Sequence, residues 1–194
     1  MTGHLLLIES RGDAGPHDMA LNDAFVSGAR SANWNVHRLD AAAMQLRSSD
    51  FDTAISQAAA ANLIRATDRL AIIFPLQCNA LPSQLRNLLD CAERDRDAPN
   101  VLRLKGRMLQ LIITMELPAF LYRPQSHREI GADNGLWFGK VAGFAVPQIT
   151  LVGGAGAWCK EQRALRLRDI FHLGAGRISA PRAQNVWSPD AYAA

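Results

Sequence analysis

Short apolar runs separated by segments of helical length are the feature that most constrains the fold of this 194-residue chain. Five such runs predict strands, over residues 4–8, 34–39, 69–75, 107–114 and 148–152. The nearly continuous apolar runs are typical of strands buried on both faces of a sheet, whereas 34–39 alternates, as expected near an edge. Parallel strands need crossovers of helical length, so the pattern predicts an α/β fold with a five-stranded parallel sheet and helices on both faces.

Helical periodicity occupies the segments between these runs. Pro16 is suited to the first turn of a helix that ends near residues 28–31. Its apolar positions are Met19, Leu21, Phe25 and Val26. Further helices are predicted over 51–67, 81–94, 134–144 and 160–173. The apolar positions of the 51–67 helix are Ile55, Ala59, Leu63 and Ile64, and those facing inward in the last helix are Ala164, Leu167, Ile170 and Phe171.

Composition narrows the class of protein. The 21 Lys and Arg exceed the 18 Asp and Glu by three, and because both signs are spread along the chain, nucleic-acid binding is not expected. Cys78, Cys91 and Cys159 form no C-x-x-C pair, which argues against a disulfide framework and indicates a reducing compartment. The five histidines have no metal-ligand spacing, so no metal site is predicted.

No membrane segment is expected either. The apolar run at 5–8 is too short for a signal peptide, and the uncharged stretch 141–159 is interrupted by Pro147 and several glycines. With no repeat and no linker, we expect a single cytoplasmic domain over 1–194, in which 174–194 forms an extended C-terminal arm.

Ligands of open parallel sheets bind beyond the carboxyl ends of the strands, which directs attention to the loops 9–18, 75–82 and 114–123. The second loop carries Phe74-Pro75-Leu76-Gln77, then Leu81-Pro82 and a predicted helix with Leu85-Arg86-Asn87-Leu88-Leu89-Asp90. The third carries Thr114-Met115-Glu116-Leu117-Pro118-Ala119 and Tyr122-Arg123. Over residues 4–173 this pattern resembles the flavodoxin-like NAD(P)H:quinone oxidoreductase family, in a bacterial branch with T-M-x-x-P-A-x-x-Y-R.

The resemblance implies a flavodoxin-like three-layer sandwich that holds FMN or FAD and takes hydride from NAD(P)H. A quinone-like or other small electrophilic acceptor then receives two electrons, and the family implies a homodimer. By position, Tyr122 is the catalytic candidate, standing over the flavin ring. The implied cofactor-binding residues are Ser10, Arg11, Pro16, His17, Asp18, Pro75, Leu76, Gln77, Cys78, Asn79, Thr114, Met115 and Glu116.

The chain departs from the family pattern around the cofactor. Cys78 and Asn79 replace an aromatic pair, and Glu116 replaces a glycine. In the first loop Pro16 offers no N–H, and Glu9, Asp13 and Asp18 place negative charge where a phosphate would lie, although Ser10 and Arg11 could bind one. The alternative is therefore a flavodoxin-like domain with impaired or lost flavin binding that serves as a binding or regulatory module.

A group of arginines late in the chain leaves two interpretations open. Arg163, Arg166 and Arg168 lie in the predicted 160–173 helix, and Arg177 and Arg182 follow it. They form either a solvated helix face and tail, or a contact for the 2′-phosphate of NADPH or for an acidic partner.

Overall fold

A computed structural model of the chain describes residues 3–9, 16–41, 59–60, 62–75, 107–116, 148–154 and 157–177. These residues contain five strands: β1 (His4–Glu9), β2 (Asn35–Asp40), β3 (Arg69–Pro75), β4 (Met108–Met115) and β5 (Gln148–Gly153). Two long helices, α1 (Pro16–Ser31) and α2 (Lys160–Gly174), accompany them, and residues 59–60 and 62–66 are also helical. The helices predicted over 81–94 and 134–144 and most of the C-terminal arm lie outside the described residues.

The strands form one parallel sheet in the order β2-β1-β3-β4-β5. This order confirms the flavodoxin-like fold with a five-stranded parallel sheet. The chain leaves β1 for its neighbour on one side, β2, and then crosses to β3 on the other side, so the order reverses at β1. A crevice at the carboxyl ends of β1 and β3 is where such sheets accept ligands.

Apolar side chains cover both faces of the sheet because every central strand alternates between two buried surfaces. Leu5 and Leu7 pack with α1 and α2, while Leu6 and Ile8 pack with Ala60 and Ile64 of the helical residues 59–60 and 62–66. The result is three layers, with helices on each side of the sheet. None of the helices among these residues is long and apolar enough to cross a membrane.

The two long helices touch backbone to backbone where they cross. A Cβ on Gly28 of α1 would lie 1.9 Å from the carbonyl oxygen of Phe171, and one on Gly174 of α2 would lie 2.2 Å from that of Phe25. No side chain can occupy either position without moving the neighbouring backbone. The pair of glycines therefore sets the distance between α1 and α2.

Arg69, at the start of β3, joins the sheet to the end of α2. Its buried guanidinium donates to the carbonyls of Gly174 at 2.9 Å and Leu173 at 2.8 Å, and makes two hydrogen bonds to Gln110 Oε1. Burial lowers the pKa of Arg69 to about 10, so the side chain remains charged at neutral pH. A cation is favourable there because the C-terminus of a helix carries partial negative charge.

The end of α2 is closed by a glycine in the left-handed region. Gly176 has φ 70°, its N–H donates to the carbonyl of Leu173, and the N–H of Arg177 donates to that of His172. These two bonds form a Schellman motif, which satisfies carbonyls that a helix end leaves open.

Four apolar positions of the predicted helices are exposed in the structure. Ala164, predicted to face inward, is exposed, as is Ala59, and Met19 and Leu63 are 48% and 38% exposed. In α2 the residues from Lys160 to Leu165 are exposed, and the buried residues are Ile170, Leu173 and Gly174. The helix therefore packs on the sheet through its C-terminal half. The spacing of its apolar residues could not show at which residue this packing begins.

Candidate functional site

The carboxyl ends of the strands bring four of the expected cofactor-binding residues to one edge of the sheet. Pro75 ends β3 and pairs in register with Thr114 on β4, while Met115 pairs with Gly153 of β5. Thr114 and Met115 are buried, and Met115 packs in the core on the side of the sheet opposite α1. Glu116 follows at the strand end and is exposed. Of these residues Glu116 is therefore exposed to solvent, whereas Thr114 and Met115 are buried.

Glu9 ends β1 and is 2% exposed, yet it does not leave an uncompensated charge there. Arg38 of β2 donates Nε to one carboxylate oxygen at 3.1 Å and Nη2 to the other at 2.9 Å, a bidentate pair. The hydrogen bond to Glu9 raises the pKa of Arg38, and Asp23 of α1 accepts a further bond from Nη1 at 2.9 Å. The carboxylate of Glu9 is therefore paired with an arginine of the neighbouring strand, which weakens its repulsion of a nearby anion.

Asn22 of α1 completes this group and contributes an unsatisfied acceptor. Its Nδ2 donates to Glu9 Oε2 at 2.8 Å, and the side chain is 2% exposed. Its Oδ1 is buried, and no residue of the described ranges donates to it. A buried acceptor without a donor costs about 1–3 kcal/mol, so this oxygen fits a ligand that supplies a hydroxyl or N–H beside the end of β1.

The first turn of α1 lies against a basic side chain from the far end of the sequence. α1 begins at Pro16, which is favourable because the first N–H of a helix has no partner within it. Arg163 of α2 donates Nη2 to His17 Nε2 at 3.0 Å, and the His17 ring meets Trp158 edge to face at 6.4 Å. Trp158 is held by its Nε1–H, which donates to the carbonyl of Gly153 at 3.1 Å.

The charges around the first turn of α1 favour the binding of an anion. The N-terminus of a helix carries about half a positive charge, and Arg163 adds a full one. Asp18, in the same turn, carries a negative charge that offsets part of this positive charge. The sequence analysis identified Arg163 only as one of a group of arginines late in the chain. Its contact with His17 could not be predicted, because the two residues are 146 positions apart and no local pattern relates them.

The remaining expected site residues are not part of this geometry. Ser10, Arg11, Leu76, Gln77, Cys78, Asn79 and the catalytic candidate Tyr122 lie outside the described residues. Within the described ranges, no three His, Cys, Asp or Glu side chains are grouped so as to hold a metal ion.

Comparison with known proteins agrees with the architecture. The sequence profile of a family described as having a flavodoxin-like fold matches residues 3–155. No curated protein sequence matches the chain.

Several solved structures share the whole fold at low sequence identity. An NAD(P)H:quinone oxidoreductase from Methanothermobacter marburgensis is 14% identical with a TM-score of 0.63, over 95% of this chain and 100% of that one. An FMN-dependent NADH-azoreductase from Bacillus anthracis, solved with FMN, is 11% identical with a TM-score of 0.64, over 91% and 99%. An NADPH-quinone reductase from P. pentosaceus is 14% identical with a TM-score of 0.61, over 95% and 100%. At these sequence identities, the comparison shows that the fold is shared.

Proposed function

The chain belongs to the flavodoxin-like fold family, and from that premise we propose that it is a flavin-dependent NAD(P)H oxidoreductase that reduces a quinone-like or other small electrophilic acceptor. Structures of similar fold are named as quinone reductases and as an FMN-dependent azoreductase, which supports this class of activity. When bound, a flavin accepts hydride from a reduced nicotinamide and releases two electrons to an acceptor. The protein supplies the binding, the orientation and the local charge.

The observation that carries the proposal is the charge at the strand ends. Arg38 neutralises Glu9 at the end of β1, while Arg163 adds positive charge beside His17 in the first turn of α1. Helix N-termini bind phosphate through backbone N–H groups and the helix dipole. These residues fit the phosphate of FMN, and the unpartnered Asn22 Oδ1 fits a hydroxyl donor such as those of a ribityl chain.

The roles of the other site residues are part of the same proposal. Pro75, with the loop residues Leu76, Gln77, Cys78 and Asn79, would line the flavin edge. Thr114, Met115 and Glu116 would approach it from the neighbouring strand. Ser10 and Arg11 would join the phosphate site, and Tyr122 would stand over the ring and orient donor or acceptor. The proposal includes a homodimer.

The phosphate assignment is tested by comparing FMN with riboflavin, which lacks the phosphate. We expect Arg163→Gln to weaken FMN binding at least tenfold, because one charge-assisted contact contributes about 1.5–3 kcal/mol. Riboflavin binding should not change. Flavin fluorescence in an equilibrium titration measures both affinities, and Arg168→Gln, which removes the same charge from an exposed position of α2, serves as the control.

The outcomes separate the parts of the proposal. If FMN binds but Arg163→Gln does not weaken it, the phosphate assignment is wrong and the flavin proposal stands. If neither flavin binds the wild-type protein, the oxidoreductase proposal is wrong and the chain is a binding or regulatory module.

A further inference from the structure

A group of polar side chains lies at the opposite end of the sheet from the candidate cofactor site. His4 begins β1, and β2 begins at Asn35, its partner in register. Side chains alternate along a strand, so His4 shares a face with Leu6 and Ile8, and His37 shares that face with Leu39. His4, Asn35 and His37 therefore project from the same face of two neighbouring strands.

The two imidazoles meet nitrogen to nitrogen. His4 Nδ1 lies 3.4 Å from His37 Nε2, and the ring centroids are 5.7 Å apart with planes 19° from parallel. The two nitrogen atoms therefore lie closer together than the ring centres do. Asn35 Nδ2 lies 3.4 Å from the same His4 Nδ1, so two polar side chains of β2 approach one nitrogen of His4.

This spacing matches the ligands of a tetrahedral metal ion. Nitrogen ligands about 2.0–2.1 Å from Zn²⁺ at tetrahedral angles lie about 3.4 Å from one another. The nitrogen and oxygen of an asparagine amide are interchangeable by rotation, so Asn35 can offer its oxygen where the nitrogen now lies. His4 and Asn35 are exposed and His37 is half-buried, so the rings can tilt towards an ion that arrives from solvent.

We propose that His4, His37 and Asn35 form a binding site for a divalent transition-metal ion of the kind that imidazole favours, such as Zn²⁺. Two neutral imidazole nitrogens and one amide oxygen supply three ligands, and water completes the set. Asp68 adds negative charge next to the site, since its Oδ2 accepts the backbone N–H of His4 at 2.8 Å. The ion ties the edge strand β2 to β1 and does not depend on flavin binding.

Sequence spacing could not predict this site. His4 and His37 are 33 residues apart, and the signal that relates them is the register of two parallel strands. A metal motif within one helix or loop would have been visible along the chain, but a pair of ligands on neighbouring strands is not.

The test is a Zn²⁺ titration of the full chain without an affinity tag, in competition with a chromogenic indicator. We expect one ion per chain, and binding at least tenfold weaker in both His4→Gln and His37→Gln. Zn²⁺ should also raise the thermal unfolding midpoint of the wild type, because an ion that binds only the folded state stabilises it, and this rise should be absent in the variants. His172→Gln, on α2, is the matched control and should bind Zn²⁺ as the wild type does.

Two results would overturn the site: no Zn²⁺ binding by the wild-type chain, or binding as tight as the wild type in a folded variant of either histidine. Circular dichroism establishes that each variant is folded. The two substitutions are independent, so one folded variant is sufficient to decide.

Discussion

Glu9 and Arg38 form the pair of residues on which the charge of the candidate site depends most directly. The carboxylate of Glu9 is buried at the end of β1, and the guanidinium of Arg38 meets both its oxygens. Two strands that pair in register hold the partners together, because Glu9 lies beside Asp40, two residues after Arg38. The negative charge of Glu9 is therefore paired within the fold, with Asp23 as the second carboxylate that contacts Arg38.

Replacing Arg38 with Met should destabilise the protein by about 2 kcal/mol. The change leaves Glu9 buried without its cation, which costs about 3–5 kcal/mol for a fully buried pair and less here because Arg38 keeps 31% of its side chain exposed. The shift in the urea unfolding midpoint measures it.

Asp23→Asn is the control for this prediction. Asp23 is the other carboxylate that Arg38 contacts, but its side chain is 64% exposed, so its loss should change stability by less than about 0.5 kcal/mol. Equal effects of the two substitutions would show that the buried pair with Glu9 has no special role.

Single residues were the part of the structure least open to prediction. The sequence patterns placed Pro16, Pro75 and Thr114 in their elements, because proline and the end of an apolar run are local signals. They could not pair Glu9 with Arg38 or His17 with Arg163, since those contacts join residues 29 and 146 positions apart. Arg69, buried between Phe25 and Trp34, likewise gives no local sign of its partners.

At the scale of elements, the strands could be predicted within one residue at either end. The central strands β1, β3 and β4 are apolar runs buried on both faces of the sheet, so burial and sequence carry the same information there, whereas the edge strands β2 and β5 are mostly half-buried. The buried face of each helix was harder to predict, as the exposed Ala164 and Met19 show, because a helix residue is buried only where another element packs against it. The contact between α1 and α2 depends on Gly28 and Gly174, and glycine gives no apolar signal.

Gly28→Ala should lower the free energy of unfolding by about 3 kcal/mol. The added methyl group meets the backbone carbonyl of Phe171, which cannot turn aside as a side chain could, so α1 and α2 must separate. Chemical denaturation measures the loss. Ser27→Ala, one residue earlier on an exposed position of α1, is the control and should be neutral or slightly stabilising. A stable Gly28→Ala protein would mean that the helices do not approach as closely as the structure has them.

At the scale of the whole molecule, strand order determines where chemistry can occur. The order β2-β1-β3-β4-β5 brings the ends of β1, β3 and β4 together, and the loops after them are those that the sequence pattern singled out. The fold could be predicted because alternating strands and helices admit few parallel arrangements. We propose that residues 1–194 form a single domain, with 174–194 as an arm.

The two proposed sites lie at opposite ends of this sheet. A flavin at the carboxyl ends depends on Arg163 and Arg38, whereas a metal ion at the amino ends depends on His4 and His37. Because no residue is shared, each site can be removed by substitution while the other is measured.

The central claim is that the chain carries hydride from a reduced nicotinamide through a flavin. The most direct test mixes the FMN-loaded protein with NADPH or NADH without oxygen and follows the visible flavin absorbance. We expect this absorbance to be lost with one of the two nicotinamides and to return when a quinone is added. Absorbance that stays unchanged, or that falls no faster than for free FMN, would contradict it.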